Sequence, residues 1–238
     1  MLFSDKARDA GPVRLRADSG MTGPRTRRRS KLAPNPDVRR GIVAAASEAL
    51  REQGVRGLSV AAVLDRAELS TRAFYRHFDS KDQVVAAVFL EMAYAEKRRL
   101  QRKMAKAANP VEAVVAWIDG RLDLAFDENI KSDLRLLSLE AQSQMFAAPE
   151  LIQPAFEETL KPLIEQLNDG LKSGVFHDID PVTEAQSIHG VVWASTERQW
   201  AAANRERVEV RRRALRCCLR GLGVKPEIIV DIAARDRL

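Results

Sequence analysis

The sequence predicts an all-α chain, and three observations predict it. After residue 36 apolar residues recur at helical spacing, beginning with Ile42, Ala45, Ala46, Ala49 and Leu50, the i, i+3, i+4, i+7, i+8 pattern that lays one stripe along a helix. Helix punctuation (Gly54, Asn109-Pro110, Gly174, Asp180-Pro181) falls in the gaps between those runs. Aromatics make up only 5% of the 238 residues, which leaves few side chains suited to a pleated face. No alternating stretch of useful length and no internal repeat compete with this reading.

Residues 1–36 stand apart. They hold Gly, Pro, Ser, Thr and Arg without apolar periodicity, the composition of a disordered basic tail. Nine basic residues against three acidic ones in this tail account for the whole net charge of +6. The other 202 residues therefore sum to zero, and the charge reports a tail rather than a basic globular surface. Its densest part, Arg25 to Lys31, is suited to following a nucleic-acid backbone through counterion release. Met21 within it is a second candidate start.

Asp37 is the expected cap of the first helix, which Gly54 ends in a left-handed stop. Ser59 opens a second helix with Val60, Val63 and Leu64 inward. A short third begins near Ser70 and carries Phe74, Tyr75 and Phe78. Ser80 caps a long fourth, with Val84, Val85, Val88, Phe89 and Met92 on one side, which becomes a basic connector through Lys97, Arg98, Arg99, Arg102 and Lys103. Further helices are expected at 110–127, 131–146, 149–173, 181–203 and 205–221.

The segment LSVAAVLDRAELSTRAFYRHF from Leu58 to Phe78 has the physics of a helix-turn-helix. A short helix and a turn, Glu68-Leu69-Ser70, are followed by a helix that shows short polar side chains at its start and returns Phe74 and Phe78 to the core. A recognition helix enters a major groove about 12 Å wide, where Ser70, Thr71, Arg72 and Ala73 fit.

These residues carry a resemblance. Ser59, Ala61-Ala62, Ala73-Phe74-Tyr75-Arg76-His77-Phe78 and Ser80-Lys81 resemble the pattern of the TetR (tetracycline repressor) family within Asp37 to Phe89. The resemblance implies that Thr71, Arg72 and Ala73 face base edges, with Arg72 able to pair with guanine. It implies that Ser59, Tyr75, His77 and Lys81 hold phosphates and that Arg76 does either. Glu68 departs from the pattern, standing where the family has Gly, and requires a left-handed backbone or a different turn.

The expected organisation is a basic tail at 1–36, a three-helix helix-turn-helix DNA-binding domain at 37–84, a larger helical effector-binding and dimerisation domain at 85–224, and a C-terminal tail at 225–238. The resemblance further implies a homodimer on a pseudo-palindromic double-stranded DNA operator, released by a small, mostly apolar effector. Trp117, Phe126, Met145, Phe146, Phe156, His189 and Trp193 are candidates for the effector pocket. For the dimer face the candidates are Val191, Val192, Ala194, Ser195, Trp200, Leu215 and Leu219.

Other classes find less support. Three histidines, two adjacent cysteines (Cys217-Cys218) and no glycine-rich phosphate loop supply no nucleophile-and-base set, so an enzyme is disfavoured. His177-Asp178-Ile179-Asp180 has no second histidine at ligand spacing, and neither metal nor cofactor is expected. A DNA-binding architectural protein without an effector would share the head, yet dimerisation alone does not require so large a carboxy-terminal half. No run approaches the ~18–20 apolar residues that span a bilayer, and the opening residues lack the apolar stretch of a secretory signal. A cytoplasmic protein is expected, with no membrane partner.

Overall fold

The computed structural model describes residues 35–130, 132–202 and 206–235, without the side chains of Ser132 and Asp133. The expected basic tail thus lies almost wholly outside the described residues. Ten helices follow in order among those residues: α1 (Pro36–Gly57), α2 (Val60–Ala67), α3 (Thr71–Phe74), α4 (Lys81–Met104), α5 (Pro110–Phe126), α6 (Ser132–Ala147), α7 (Pro149–Lys172), α8 (Pro181–Ala202), α9 (Arg207–Gly221) and α10 (Pro226–Ala234). No strand occurs among them.

Local chemistry sets most boundaries. The Asn109 side chain accepts the Glu112 N–H at 2.9 Å, and Pro110 follows in the first turn, where a missing N–H costs nothing. Asp180 accepts the Thr183 N–H at 2.7 Å at the head of α8. Gly174, at φ +68°, ends α7. The turn folds Phe176 onto Gly170, where a Cβ would stand 2.1 Å from the ring. Only glycine admits that approach.

Two expectations need correction. The cap of α1 is Asn35, whose side chain accepts the Asp37 N–H at 2.9 Å. Asp37 instead lies in the first turn, where a negative charge suits the helix dipole. The supposed C-terminal tail contains α10, whose Ile229 and Ile232 are buried. Its i, i+3 apolar pair joins the main core, so it is part of the fold.

The buried residues form two clusters. One joins α1–α3 to the first half of α4 through Ile42, Leu50, Val63, Phe74, Val85 and Phe89. The other gathers α5, α8, α9 and α10 around Trp117, Leu163, Ile188 and Leu215. Helices α4 and α7 run through both. Val85 and Phe89 of α4 lie in the first cluster and Leu100 and Met104 in the second, while on α7 Ile152 and Ala155 belong to the first and Leu160, Leu163 and Leu167 to the second. Leu137 of α6 also enters the first cluster. The amino-terminal helices thus share their core with α6 and α7. Cores this closely packed transmit displacement instead of absorbing it.

A candidate nucleic-acid interface and a ligand cavity

The helix-turn-helix is built from caps and one strained turn. The Ser59 hydroxyl accepts the Ala62 N–H at 3.1 Å to start α2, and the Ser70 hydroxyl accepts the Ala73 N–H at 3.3 Å to start α3. Between them Glu68 takes φ 52°, ψ 41°, so the left-handed alternative is the one realised. The Leu69 N–H reaches back to the Leu64 carbonyl at 3.1 Å, closing the six-to-one bond of a Schellman stop. A side chain in that region costs roughly 1–2 kcal/mol, which the surrounding packing must offset.

Helix α3 is shorter than expected: its α-helical part ends at Phe74 and residues 75–77 form turns. Its aim is fixed by Phe74, which is fully buried and meets Tyr75 edge-on at 5.3 Å and Phe78 at 5.9 Å. With both phenyl rings inward, Thr71, Arg72 and Arg76 are exposed and Ala73 is half-buried. Tyr75 is 55% exposed, a large aromatic presented to solvent. His77 is half-buried with Nδ1 inside and unpartnered among the described residues. Lys81 is half-buried too, its Nζ donating to the Val55 carbonyl at 3.0 Å. Ser59, Ser70, Thr71, Arg72, Tyr75 and Arg76 are therefore open to solvent, while His77 and Lys81 are partly withdrawn from it.

A cavity lies between α4, α5, α6, α7 and α8, with about 70 Å³ open to the centres of water-sized atoms. Phe89, Met92, Met145, Ile152, Phe156 and Trp193 make it mostly apolar. At its polar side stand Glu96, Arg121, Ser138, Gln142, Thr159 and His189. His189 stacks parallel to Trp193 at 6.4 Å and takes the edge of Phe156 at 4.9 Å. Burial, aided by the Arg121 charge, pushes the imidazole down to about 3, so it is neutral. Glu96 is buried and accepts from Arg99 at 2.8 and 2.9 Å and from Arg121 at 2.9 Å. Burial raises its carboxyl, but these partners outweigh that and hold it below the usual range.

Four of the seven pocket candidates meet here: Met145, Phe156, His189 and Trp193. The other three do not line it. Trp117 is fully buried behind the wall, touching His189 at 6.4 Å. Phe126 packs on the second core and borders a separate, open groove. Phe146 is 86% exposed: one helical step past Met145 turns a side chain about 100° around the axis, here into solvent.

Glu96 and Arg121 were not among the candidates. A signal was present in α5, where Asp119, Arg121 and Asp123 interrupt an otherwise apolar run, and charges at such positions are buried in pairs. Three of the five basic residues expected in the connector are likewise ion-paired, Lys97 with Glu158, Arg99 with Glu96 and Lys103 with Asp123. Asp123 takes Lys103 at 2.7 Å and Arg207 at 2.8 Å, and Arg211 holds Asp119 through both oxygens at 2.6 and 3.1 Å.

Of the dimer-face candidates, Val192, Leu215 and Leu219 are buried in this chain's own core, so they are unavailable to a partner. Trp200 is tied inward, its indole donating to the Leu124 carbonyl at 3.2 Å. Val191 and Ser195 are half-buried and Ala194 is exposed. Cys217 is exposed and Cys218 buried. His177, Asp178 and Asp180 are exposed, and no group of three potential ligands converges on a metal position among the described residues. Nor is any described helix long and apolar enough to cross a membrane.

Residues 42–88 match the model of the family described as bacterial regulatory proteins, tetR family. Over 173 residues the chain is 24% identical to the HTH-type transcriptional repressor KstR2 of Mycobacterium tuberculosis, a match covering 69% of this chain and 83% of that one. Among solved structures, FadR of Bacillus subtilis in complex with stearoyl-CoA superposes with a TM-score of 0.60 at 20% identity, covering 76% of this chain and 98% of FadR. RolR in complex with resorcinol superposes with a TM-score of 0.61 at 17% identity, covering 84% and 94%. At these identities the two superpositions establish the fold.

Proposed function

The chain belongs to the tetR family of bacterial regulatory proteins through residues 42–88, and from that premise we propose that it is a sequence-specific transcriptional regulator. In this reading it is a homodimeric repressor, released from a pseudo-palindromic operator by a small, mostly apolar effector. The observation that carries the reading is the outward face of α3, where Thr71, Arg72, Tyr75 and Arg76 stand exposed over a buried Phe74.

Thr71, Arg72 and Ala73 enter the major groove, and the Arg72 guanidinium pairs with a guanine edge. Tyr75 and Ser59 hold phosphates on either side, with His77 and Lys81 at the inner edge of the same strip. Two heads about 34–36 Å apart read half-sites one turn apart. The dimer forms through the exposed small residues of α8, Gly190 and Ala194, where two helices approach closely.

The effector enters the cavity between α4 and α8. Phe89, Met92 and Glu96 of α4 line it, and the same helix carries Val84 and Val85 into the core of the head. A molecule that binds one position of α4 more tightly than another shifts the spacing of the heads by that difference in affinity. A ligand-bound FadR and a ligand-bound RolR share the fold, which supports a small-molecule site in this half.

The test is a pair of variants on a fluorescent duplex. Arg72→Ala relaxes the preference at one base position, costing about 1–3 kcal/mol against the preferred base. Tyr75→Ala weakens all duplexes alike. Equal losses on every duplex from both variants would refute the assignment of Arg72 to base reading.

A further inference from the structure

Among the described residues, the polar side of the cavity carries an unmatched positive charge. Glu96 offers one negative charge and is held by two guanidiniums, Arg99 through both oxygens and Arg121 through one. Arg99 also lies 3.5 Å from Asp123, but Asp123 already has two closer cations, Lys103 and Arg207. On the cavity side the uncompensated charge is therefore that of Arg121.

This guanidinium is not solvated away. Its side chain is 11% exposed, and an incompletely paired charge is costly in such a setting. Of its five N–H donors one is engaged, with Glu96, among the described residues. Beside it the neutral His189 lines the same space. Apart from Ser138, Gln142 and Thr159, the rest of the wall is aromatic, aliphatic and thioether. Such a site disfavours a cation, through Arg121, and a dianion, through Glu96.

We propose that the cavity binds a small monocarboxylate with an apolar body, its carboxylate received by the free donors of Arg121 and its body held among Phe156, Trp193, Met92 and Met145. The proposal rests on the reading of this cavity as the effector site and names the chemistry that it selects. A planar guanidinium suits a carboxylate because two parallel N–H groups match two oxygens. His189 contributes a neutral donor or acceptor beside it, held uncharged by burial.

The experiment is calorimetric titration of the full chain with 4-phenylbutyrate and decanoate, each against its methyl ester. Both acids are expected to bind at least about tenfold more tightly than their esters, a difference of about 1.4 kcal/mol. Arg121→Gln, which leaves the Glu96–Arg99 pair intact, should abolish that preference, and Arg121→Lys should retain part of it. Circular dichroism of each variant checks the fold. Esters that bind as well as acids, acids that bind Arg121→Gln unchanged, or no binding of either acid would each overturn the proposal.

Operator binding in the absence of ligand is measured alongside. Acids that bind without releasing DNA would sink the effector reading and leave the carboxylate site standing. Esters that bind and release DNA would do the reverse.

Discussion

The backbone N–H of Val55 in α1 donates to the Glu140 carboxylate of α6 at 3.1 Å. The contact falls on the kink of α1, beside Gly54 at φ +68°, where a Cβ would stand 3.4 Å from the same carboxylate. Gln144 donates to Glu140 at 3.2 Å, and Lys81 of α4 donates to the Val55 carbonyl. Both polar groups of Val55 are thus held, one by α6 and one by α4, and both helices line the cavity.

Glu140→Ala leaves the Val55 N–H without its acceptor and should cost about 1–3 kcal/mol in urea unfolding. It should also cut one of the links between cavity and head. The ratio of operator affinities with and without effector is expected to shrink towards one. A ratio equal to that of the unmodified chain would mean that the coupling runs through the packed contacts of α4, α6 and α7 and not through this hydrogen bond.

The helix caps separate folding from recognition. Asn109→Ala removes the cap of α5, far in sequence from α3, and should cost about 1 kcal/mol of stability with operator affinity unchanged at a temperature where the protein is folded. Ser59→Ala removes a cap of similar worth and a proposed phosphate contact. It should therefore lose stability and also weaken DNA binding by a similar factor at every salt concentration, since a neutral hydroxyl releases no counterion. Thermal melts and anisotropy at several salt concentrations measure both.

Arg211 and Asp119 form a buried ion pair, with the guanidinium also facing the last carbonyls of α10, Ile232 and Ala233, at 3.4 Å. Asp119→Ala strands that charge and should cost about 3–5 kcal/mol. The double replacement Asp119→Leu with Arg211→Met should recover much of the loss, because both the charge and its partner are gone. Denaturant titrations of the three chains decide it.

Two cavity groups, both held below their ordinary values, lose stability in the same direction as pH falls, in windows separable by pH. The folded chain holds His189 at about 3 against an ordinary 6.5, so the unfolded chain takes up the proton first. Stability should fall as pH drops from about 6.5 towards 3, by at most about 1.4 kcal/mol per pH unit. Glu96 is shifted below its ordinary 4.5. Its contribution is complete above that value and is lost at lower pH, as it is protonated in the folded state. Between pH 6 and 4.5 the His189→Phe variant should therefore show a flatter stability profile than the parent, as measured by urea midpoints.

Helix order was legible because its signals are local. Asn109-Pro110, Asp180-Pro181 and Ser80 each declare a boundary within three residues of themselves, and the bounds of α5 and α7 match the expectation to within one residue. The outward face of α3 was legible for the same reason, since Phe74 and Phe78 four apart fix which side turns inward. Asn35 is passed over as a cap in favour of Asp37 two residues on, and the side-chain hydrogen bond is what distinguishes them. Helix α10 is nine residues long, short enough for its two buried isoleucines to pass as part of a tail. The cavity was half legible. Met145 and Phe146 are neighbours in an α6 whose apolar stripe is weak, so tertiary packing chose between them. Arg121 became visible as a binding group only through Glu96, 25 residues away.

The central claim is tested most directly by selecting bound sequences from a random duplex pool with the purified full chain at near-physiological salt. The account predicts a pseudo-palindromic consensus with half-sites about one helical turn apart, whose recovery is lost when Arg72 is replaced. Binding without a consensus, fading as salt is raised, would contradict it and leave only charge acting on DNA.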